Sequence, residues 1–304
     1  MFHLLHSLSK TLQVINRLFF FILYISTCII TSAQQPGYTT SSDGRYVFNR
    51  RFSTLKDLPK FSAWDSLPNG RWIQLHKEGG IAIEFTLKNH LMNGPAKGLF
   101  PDGKLRFEFT FYDNFIDGKF KEYYPSGELY KLYHYNQGYL NGEWFIYYKD
   151  GQLSAKGYCK DDEQEGKLFH WWPNGNLKEE RTYKDNKLDG ITIYWYEHGI
   201  KMMEGPQEGI DNKVGNWTFW YEDGKKHKEV EFAGKLEKMH NSWDRRGKQM
   251  VVDGNGKYTF TSITGKKLLE GNYKNALMDG KWLTWDEKTD SPPRESFYVA
   301  GIKQ

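Results

Sequence analysis

The sequence predicts an all-β fold: an extended single-sheet array of about ten 24-residue antiparallel β-hairpins, twisted as an open ribbon. Three observations predict it. Gly70, Gly94, Gly118, Gly142, Gly166 and Gly190 stand 24 residues apart, and a fixed period of that size means an array whose length follows copy number. A second set, Gly79, Gly103, Gly127, Gly151, Gly175 and Gly199, closes turn signals such as Pro101-Asp102-Gly103, Pro125-Ser126-Gly127 and Pro173-Asn174-Gly175, where glycine supplies the positive φ of a short hairpin loop. Between the two sets the side chains alternate with period 2. Phe120, Glu122 and Tyr124, then Trp144, Ile146 and Tyr148, then Trp217, Phe219 and Tyr221 form the face expected to look toward the core. Ile83, Phe85 and Leu87, and Phe107, Phe109 and Phe111, do the same on returning strands. No helical period is visible beyond the first thirty-three residues.

Residues 1–33 read as a secretory signal peptide. Lys10 and Arg17 precede an uncharged stretch from Leu18 to Ala33, and Thr31-Ser32-Ala33 offers a cleavage site before Gln34-Gln35-Pro36. Sixteen residues containing Ser26, Thr27, Thr31 and Ser32 are short for a membrane span, and an uncleaved anchor is the rival reading. The expectation is therefore an exported chain, periplasmic, envelope-bound or secreted. Residues 34–69 read as a lead-in and N-terminal cap: Gln34 to Arg51 as a flexible polar stretch, Phe52 to Pro68 as a cover for the first strand edge. Residues 70–304 are the array, irregular over 200–256, where Gly205-Pro206-Gln207 interrupts a returning strand and the chain bends or narrows before Gly280-Lys281-Trp282 restores the pattern.

Composition narrows the function classes. Apolar residues make up 38% and aromatics 17%, so burial relies on Tyr, Trp and Phe. Removing Lys10 and Arg17 with the leader turns 42 basic residues into 40 against 38 acidic, a net charge of +2. That balance supports neither nucleic-acid binding nor strong anionic-lipid binding, and Lys225-Lys226-His227-Lys228 reads as a solvated edge. Cys159 alone remains after cleavage and reads as a buried thiol. His76, His90, His134, His170, His198, His227 and His240 are scattered without zinc-ligand spacing, and Asp161 to Glu165 lacks the order of a calcium loop. No nucleophile elbow or phosphate loop occurs. A non-enzymatic protein without metal or cofactor is expected. A hydrolase with carboxylates on the sheet face is left open, because sequence alone cannot pair them in space.

The stretch D-G-K-F-x-E-Y-Y-x-x-G-x-L from Asp117 to Leu129, with L-x-G-E-W at Leu140 to Trp144 and M-D-G-K-W at Met278 to Trp282, resembles the bacterial variant of the MORN repeat over about Gly70 to Gly301. The resemblance implies a repeat scaffold for protein or membrane contact, and some similar bacterial proteins are labelled antitoxins that neutralise a partner. The residues themselves supply one candidate binding surface. Tyr123, Tyr147, Trp171, Trp195 and Trp220 occupy one repeat position on the wetter face, forming a ladder with rungs roughly 10 Å apart. Flat rings at that step fit an extended glycan, but the preferred reading is that the rings pack on one another and on Lys stems to hold a thin sheet together. The function expected is a scaffold that binds a partner protein through sheet face or edge. A glycan-binding envelope module is the alternative, with an antitoxin-like neutraliser beside it.

Overall fold

The computed structural model describes residues 38–48, 67–209, 212–234, 236–289 and 291–304. The signal segment and most of the Phe52–Pro68 cover lie outside the described residues. All regular elements among the described residues are strands. The chain divides into one unit ending at Gly142, joined by Lys149–Gly151, and a second holding Glu143–Tyr148 and everything from Gln152.

In the first unit, strands Gly70–Leu75, Ile81–Lys88, Gly94–Leu99, Leu105–Tyr112, Gly118–Tyr123 and Leu129–Asn136 pair successively and antiparallel. Two turn types alternate along this meander. At the x-Asp-Gly turns the chain closes with Phe100 N donating to Lys104 O at 2.8 Å and Gly103 N to Phe100 O at 2.8 Å. The second type links one hairpin to the next in two residues, both at positive φ: Asn89-His90 (53° and 60°) and Asp113-Asn114 (46° and 72°). Asn and Asp tolerate that conformation, so the hairpin links are themselves tight turns. Asp161 and Asp162 (51° and 67°) do the same in the second unit, and the acidic run they begin is a turn followed directly by strand Glu163–Trp171.

The apolar face falls where alternation puts it. Trp72, Ile83, Phe85, Leu87, Phe107, Phe109, Phe111 and Phe120 are buried in one cluster with Leu67. Each such side chain contributes about 1.5–3 kcal/mol relative to exposure. Over residues 38–48 the reading of Gln34–Arg51 as flexible is corrected: Tyr38–Thr40 and Tyr46–Phe48 form a hairpin around a Ser41 to Gly44 turn. Its second strand runs parallel to Gly70–Leu75, with Tyr46 opposite Trp72. The reason is aromatic burial. Tyr46 stacks on Trp72 at 4.9 Å and Tyr38 meets the same ring edge-on at 5.1 Å, so two tyrosines in a polar stretch close the first edge of the array. Of the Phe52–Pro68 cover, Leu67 is buried and Pro68 O accepts from Trp72 Nε1 at 3.1 Å.

In the second unit the same meander runs through Glu163–Trp171, Leu177–Lys184, Ile191–Trp195, Lys201–Glu208, Gly215–Trp220, Lys226–Ala233, Leu236–Trp243 and Gln249–Val251. The expected interruption at Gly205-Pro206-Gln207 does not occur. Strand Lys201–Glu208 is continuous, because Gly205 leaves room for the Trp217 indole and Pro206 still offers its carbonyl, which accepts from Val214 N at 3.2 Å and Trp217 Nε1 at 2.9 Å. The irregularity falls at Val252–Asn255. There the ladder breaks and Gly256–Thr261, Lys267–Lys274, Leu277–Thr284, Arg294–Val299 and Ile302–Lys303 form a separate five-stranded sheet. The two sheets of this unit share a core of Trp217, Val230, Met239, Val251, Tyr258 and Trp282. Gly254 sits at the joint, donating to His240 O at 2.7 Å and accepting from Ala276 N at 2.9 Å.

Candidate functional site

In the second unit the aromatic ladder is present on the non-core face. Trp171, Trp195 and Trp220 each follow a β-bulge: the register shifts between His170 and Trp171, Tyr194 and Trp195, and Phe219 and Trp220. The extra residue of a bulge re-aims the side chain, so both members of an aromatic pair find packing although they are neighbours in sequence. The second member staples adjacent hairpins. Tyr148 Oη donates to Trp171 O at 2.6 Å, Trp172 Nε1 to Trp195 O at 3.1 Å, Tyr196 Oη to Trp220 O at 2.9 Å and Tyr221 Oη to Trp243 O at 2.9 Å. In the first unit, His76 Nε2 lies 3.0 Å from Leu99 O at the same place. The backbones of Trp171, Trp195, Trp220 and Trp243 are therefore each fixed by the preceding hairpin.

The rings themselves are half-buried. Phe145 stacks on Tyr147 at 6.4 Å and Phe169 lies against Trp171 at 5.8 Å. Lysines lie over the same surface: Lys156 over Phe145 at 5.4 Å, Lys167 over Phe169 at 5.9 Å and Lys201 over Trp220 at 5.1 Å. Those lysines are in turn anchored by carboxylates at 2.7 Å, Lys156 to Glu143, Lys167 to Glu180 and Lys201 to Glu204. No ring contact joins Trp171 to Trp195 or Trp195 to Trp220 among the described residues, as expected for rungs two strands apart, about 10 Å. Tyr123, in the first unit, has a different setting. Its hydroxyl donates to Glu108 Oε1 at 2.8 Å beside Lys121 at 2.9 Å, and burial followed by the Glu108 charge pushes its pKa up.

Sequence reasoning missed one member of this surface. Trp243 carries the rung hydrogen bond and lies under Lys226 at 5.2 Å, with Lys226 bound to Glu229 at 2.7 Å. Its spacing of 23 from Trp220 hid it, although Trp243-Asp244-Arg245-Arg246-Gly247 repeats the pattern of Trp220-Tyr221-Glu222-Asp223-Gly224.

The remaining candidates resolve structurally. Cys159 is buried, and burial pushes its thiol pKa up. His227, read as part of a solvated edge, instead stacks on Tyr221 at 4.4 Å and Phe260 at 5.2 Å, with Nε2 3.1 Å from Tyr258 Oη. A charged cluster lies on the core face around Glu179. Glu179 lies 3.0 Å from His170 Nδ1 and accepts from Arg181 Nε at 2.6 Å, and Arg181 reaches Tyr194 Oη at 3.4 Å. Burial alone would push the Glu179 carboxyl up, but His170 and Arg181 outweigh it and hold it below the usual range. No group of three or more His, Cys, Asp or Glu suited to a metal occurs among the described residues.

The family model of the MORN repeat variant matches four stretches, residues 116–137, 140–161, 164–185 and 213–233. Over those four stretches the chain carries variants of the MORN repeat. The match is narrower than the Gly70–Gly301 span of the pattern, and hairpins outside it keep the geometry: Gly94–Leu99 with Leu105–Tyr112, and Gly256–Thr261 with Lys267–Lys274, are built as the matched copies are. No curated protein matches the sequence. Among solved structures, the chain is similar to the Tc holotoxin pore of Photorhabdus luminescens, at 11% identity over 77% of this chain and 14% of that one, with a TM-score of 0.19. It is also similar to a crystal structure of TcdB2-TccC3, at 8% identity over 76% and 17%, with a TM-score of 0.18. The chain spans less than a fifth of either.

Proposed function

We propose that this MORN-repeat chain is an exported, non-enzymatic scaffold that binds a partner protein through the ladder face of its second unit. One observation carries the reading: the backbones of Trp171, Trp195, Trp220 and Trp243 are each stapled from the neighbouring hairpin, and lysines held by glutamates lie over Trp220, Trp243 and the adjoining Phe145 and Phe169. A surface so fixed meets a partner with little ordering cost, and half-buried aromatics bordered by ion pairs suit a protein interface. The lysines over Trp220 and Trp243 favour a protein over a sugar at those rungs, since sugar stacking needs a clear ring face. The antitoxin-like role is the same reading with a toxic partner.

The test is capture by the full chain from an envelope extract and, in parallel, retention on insoluble cell-wall polysaccharide. A protein enriched by the wild type and lost with Trp171→Ala/Trp195→Ala, while the variant keeps its β circular dichroism, supports the scaffold. Polysaccharide retention lost in that same folded variant replaces the scaffold with the glycan module. Export is tested separately, by an N-terminus at Gln34 in the mature protein; a chain recovered intact from the cytoplasm would remove it.

A further inference from the structure

Among the described residues, the non-core face of the first unit carries no tryptophan ladder. It holds a groove of about 630 Å³. Its origin lies in register. Across five adjacent strands, one row of side chains reads Arg71, Thr86, Pro95, Thr110, Lys119, and the next reads Ile73, Glu84, Lys97, Glu108, Lys121. Thr86, Pro95 and Thr110 are short, so the first row is a trough, and the longer charged row stands beside it as a wall.

The charges of the trough do not balance. Glu84 pairs with Arg71 and, at 3.4 Å, with Lys97; Glu108 pairs with Lys121 at 2.9 Å. Both carboxyls stay ionised, Glu84 because Arg71 and Lys97 outweigh its burial, Glu108 because Lys121 and Tyr123 bond it. Two carboxylates thus face four cations, and Lys119, exposed and opposite His134, has no acidic partner among the described residues. The chain's own preceding segment does not supply the missing charge. Residues 49–66 contain Arg50, Arg51, Lys56 and Lys60 against Asp57 and Asp65, so that segment is itself cationic.

Spacing indicates what would fit. Arg71, Lys97 and the Lys119/Lys121 pair lie two strands apart in turn, roughly 10 Å per step and about 19 Å in all. A polyproline-II segment rises about 3.1 Å per residue with three residues per turn, so every third side chain meets a cation, while Thr86 and Thr110 hydroxyls face its backbone. Two surplus charges over that length are too few to hold a polyanion or an anionic membrane. We propose that this groove binds an extended segment of a partner protein, crossing the strands and bearing acidic residues at every third position. The proposal rests on the scaffold reading and names a second contact for it.

The test uses the full chain and a fluorescent peptide with glutamate at every third position and proline and serine between, followed by anisotropy. The wild type binds this peptide more tightly than its glutamine counterpart, and binding weakens as salt is added. Lys97→Gln and Lys119→Gln each lower affinity about two- to fivefold, Lys281→Gln in the other sheet changes nothing, and Lys119→Glu gains affinity for the lysine version of the peptide. Equal binding of glutamate and glutamine peptides, wild-type affinity in the Lys97→Gln/Lys119→Gln double variant, or displacement of the peptide by anionic vesicles at lower concentration than by unlabelled peptide would each overturn it. If the peptide result fails while partner capture remains sensitive to Trp171→Ala/Trp195→Ala, the groove is wrong and the scaffold stands; if capture fails and the peptide result holds, the ladder is wrong.

Discussion

At position 205 a Cβ would lie 2.3 Å from Cδ2 of Trp217, well inside contact distance, and the obstacle is a buried indole held by two carbonyls. Gly205→Ala should therefore cost about 1–3 kcal/mol as an overpacked site, and Trp217→Ala about 3–5 kcal/mol as a cavity. Urea denaturation measures both; an alanine at 205 that melts like the wild type would mean the ring has room to shift. His227 makes a prediction in pH. Burial, with Lys228 and Arg245 adding to it against the pull of Glu222, pushes its pKa down from 6.5 to about 3. The unfolded chain therefore binds more protons across that window, so the stability of the neutral, stacked ring is full above pH 6.5 and is lost as pH falls toward 3. The loss between about pH 7 and pH 5 is on the order of 2 kcal/mol. Melting temperatures should drop over that range in the wild type and much less in His227→Phe; identical slopes would assign the acid sensitivity to another group.

Elements in this protein depend on a donor lent from next door. Tyr196→Phe removes only the hydroxyl that reaches Trp220 O, and should destabilise by about 0.5–1.5 kcal/mol. Hydrogen exchange locates the effect: faster exchange around strands Ile191–Trp195 and Gly215–Trp220, little elsewhere. Unaltered exchange there would mean the staple contributes nothing to the joint. This staple also shows what the sequence could convey. Glycine spacing and alternation gave away the hairpins, and the repeated aromatic gave away the rungs at Trp171, Trp195 and Trp220. That the adjacent aromatic bonds the next rung's carbonyl was not legible, because it depends on the bulge, which no residue type marks uniquely. The second turns were hidden for a related reason. Asn89-His90, Gln137-Gly138 and Asn275-Ala276 share a conformation and no common sequence. The N-terminal hairpin was illegible because Tyr38 and Tyr46 pack on Trp72, about thirty residues away.

The described cores of the whole molecule draw on separate stretches of chain. One gathers Leu67 to Phe120 with Tyr38, Tyr46, Tyr133 and Tyr135; the other gathers Trp217 to Trp282 with neighbours from Tyr194 to Tyr298. In an array, stability is approximately a sum of copy and nearest-neighbour contributions, so damage in one core is felt by its neighbours and fades with distance along the chain. Trp217→Ala provides the test, since its ring touches Tyr194, Phe219 and Phe232. Hydrogen exchange of this variant should quicken over residues 194–298 and stay at the wild-type rate over residues 70–135. The same variant should still bind the acidic peptide, because Arg71, Lys97, Lys119 and Lys121 lie in the stretch that does not exchange faster. A uniform rise in exchange along the chain, with loss of peptide binding, would instead mean that the molecule unfolds as one cooperative body and that repetition in its sequence does not carry over into its energetics.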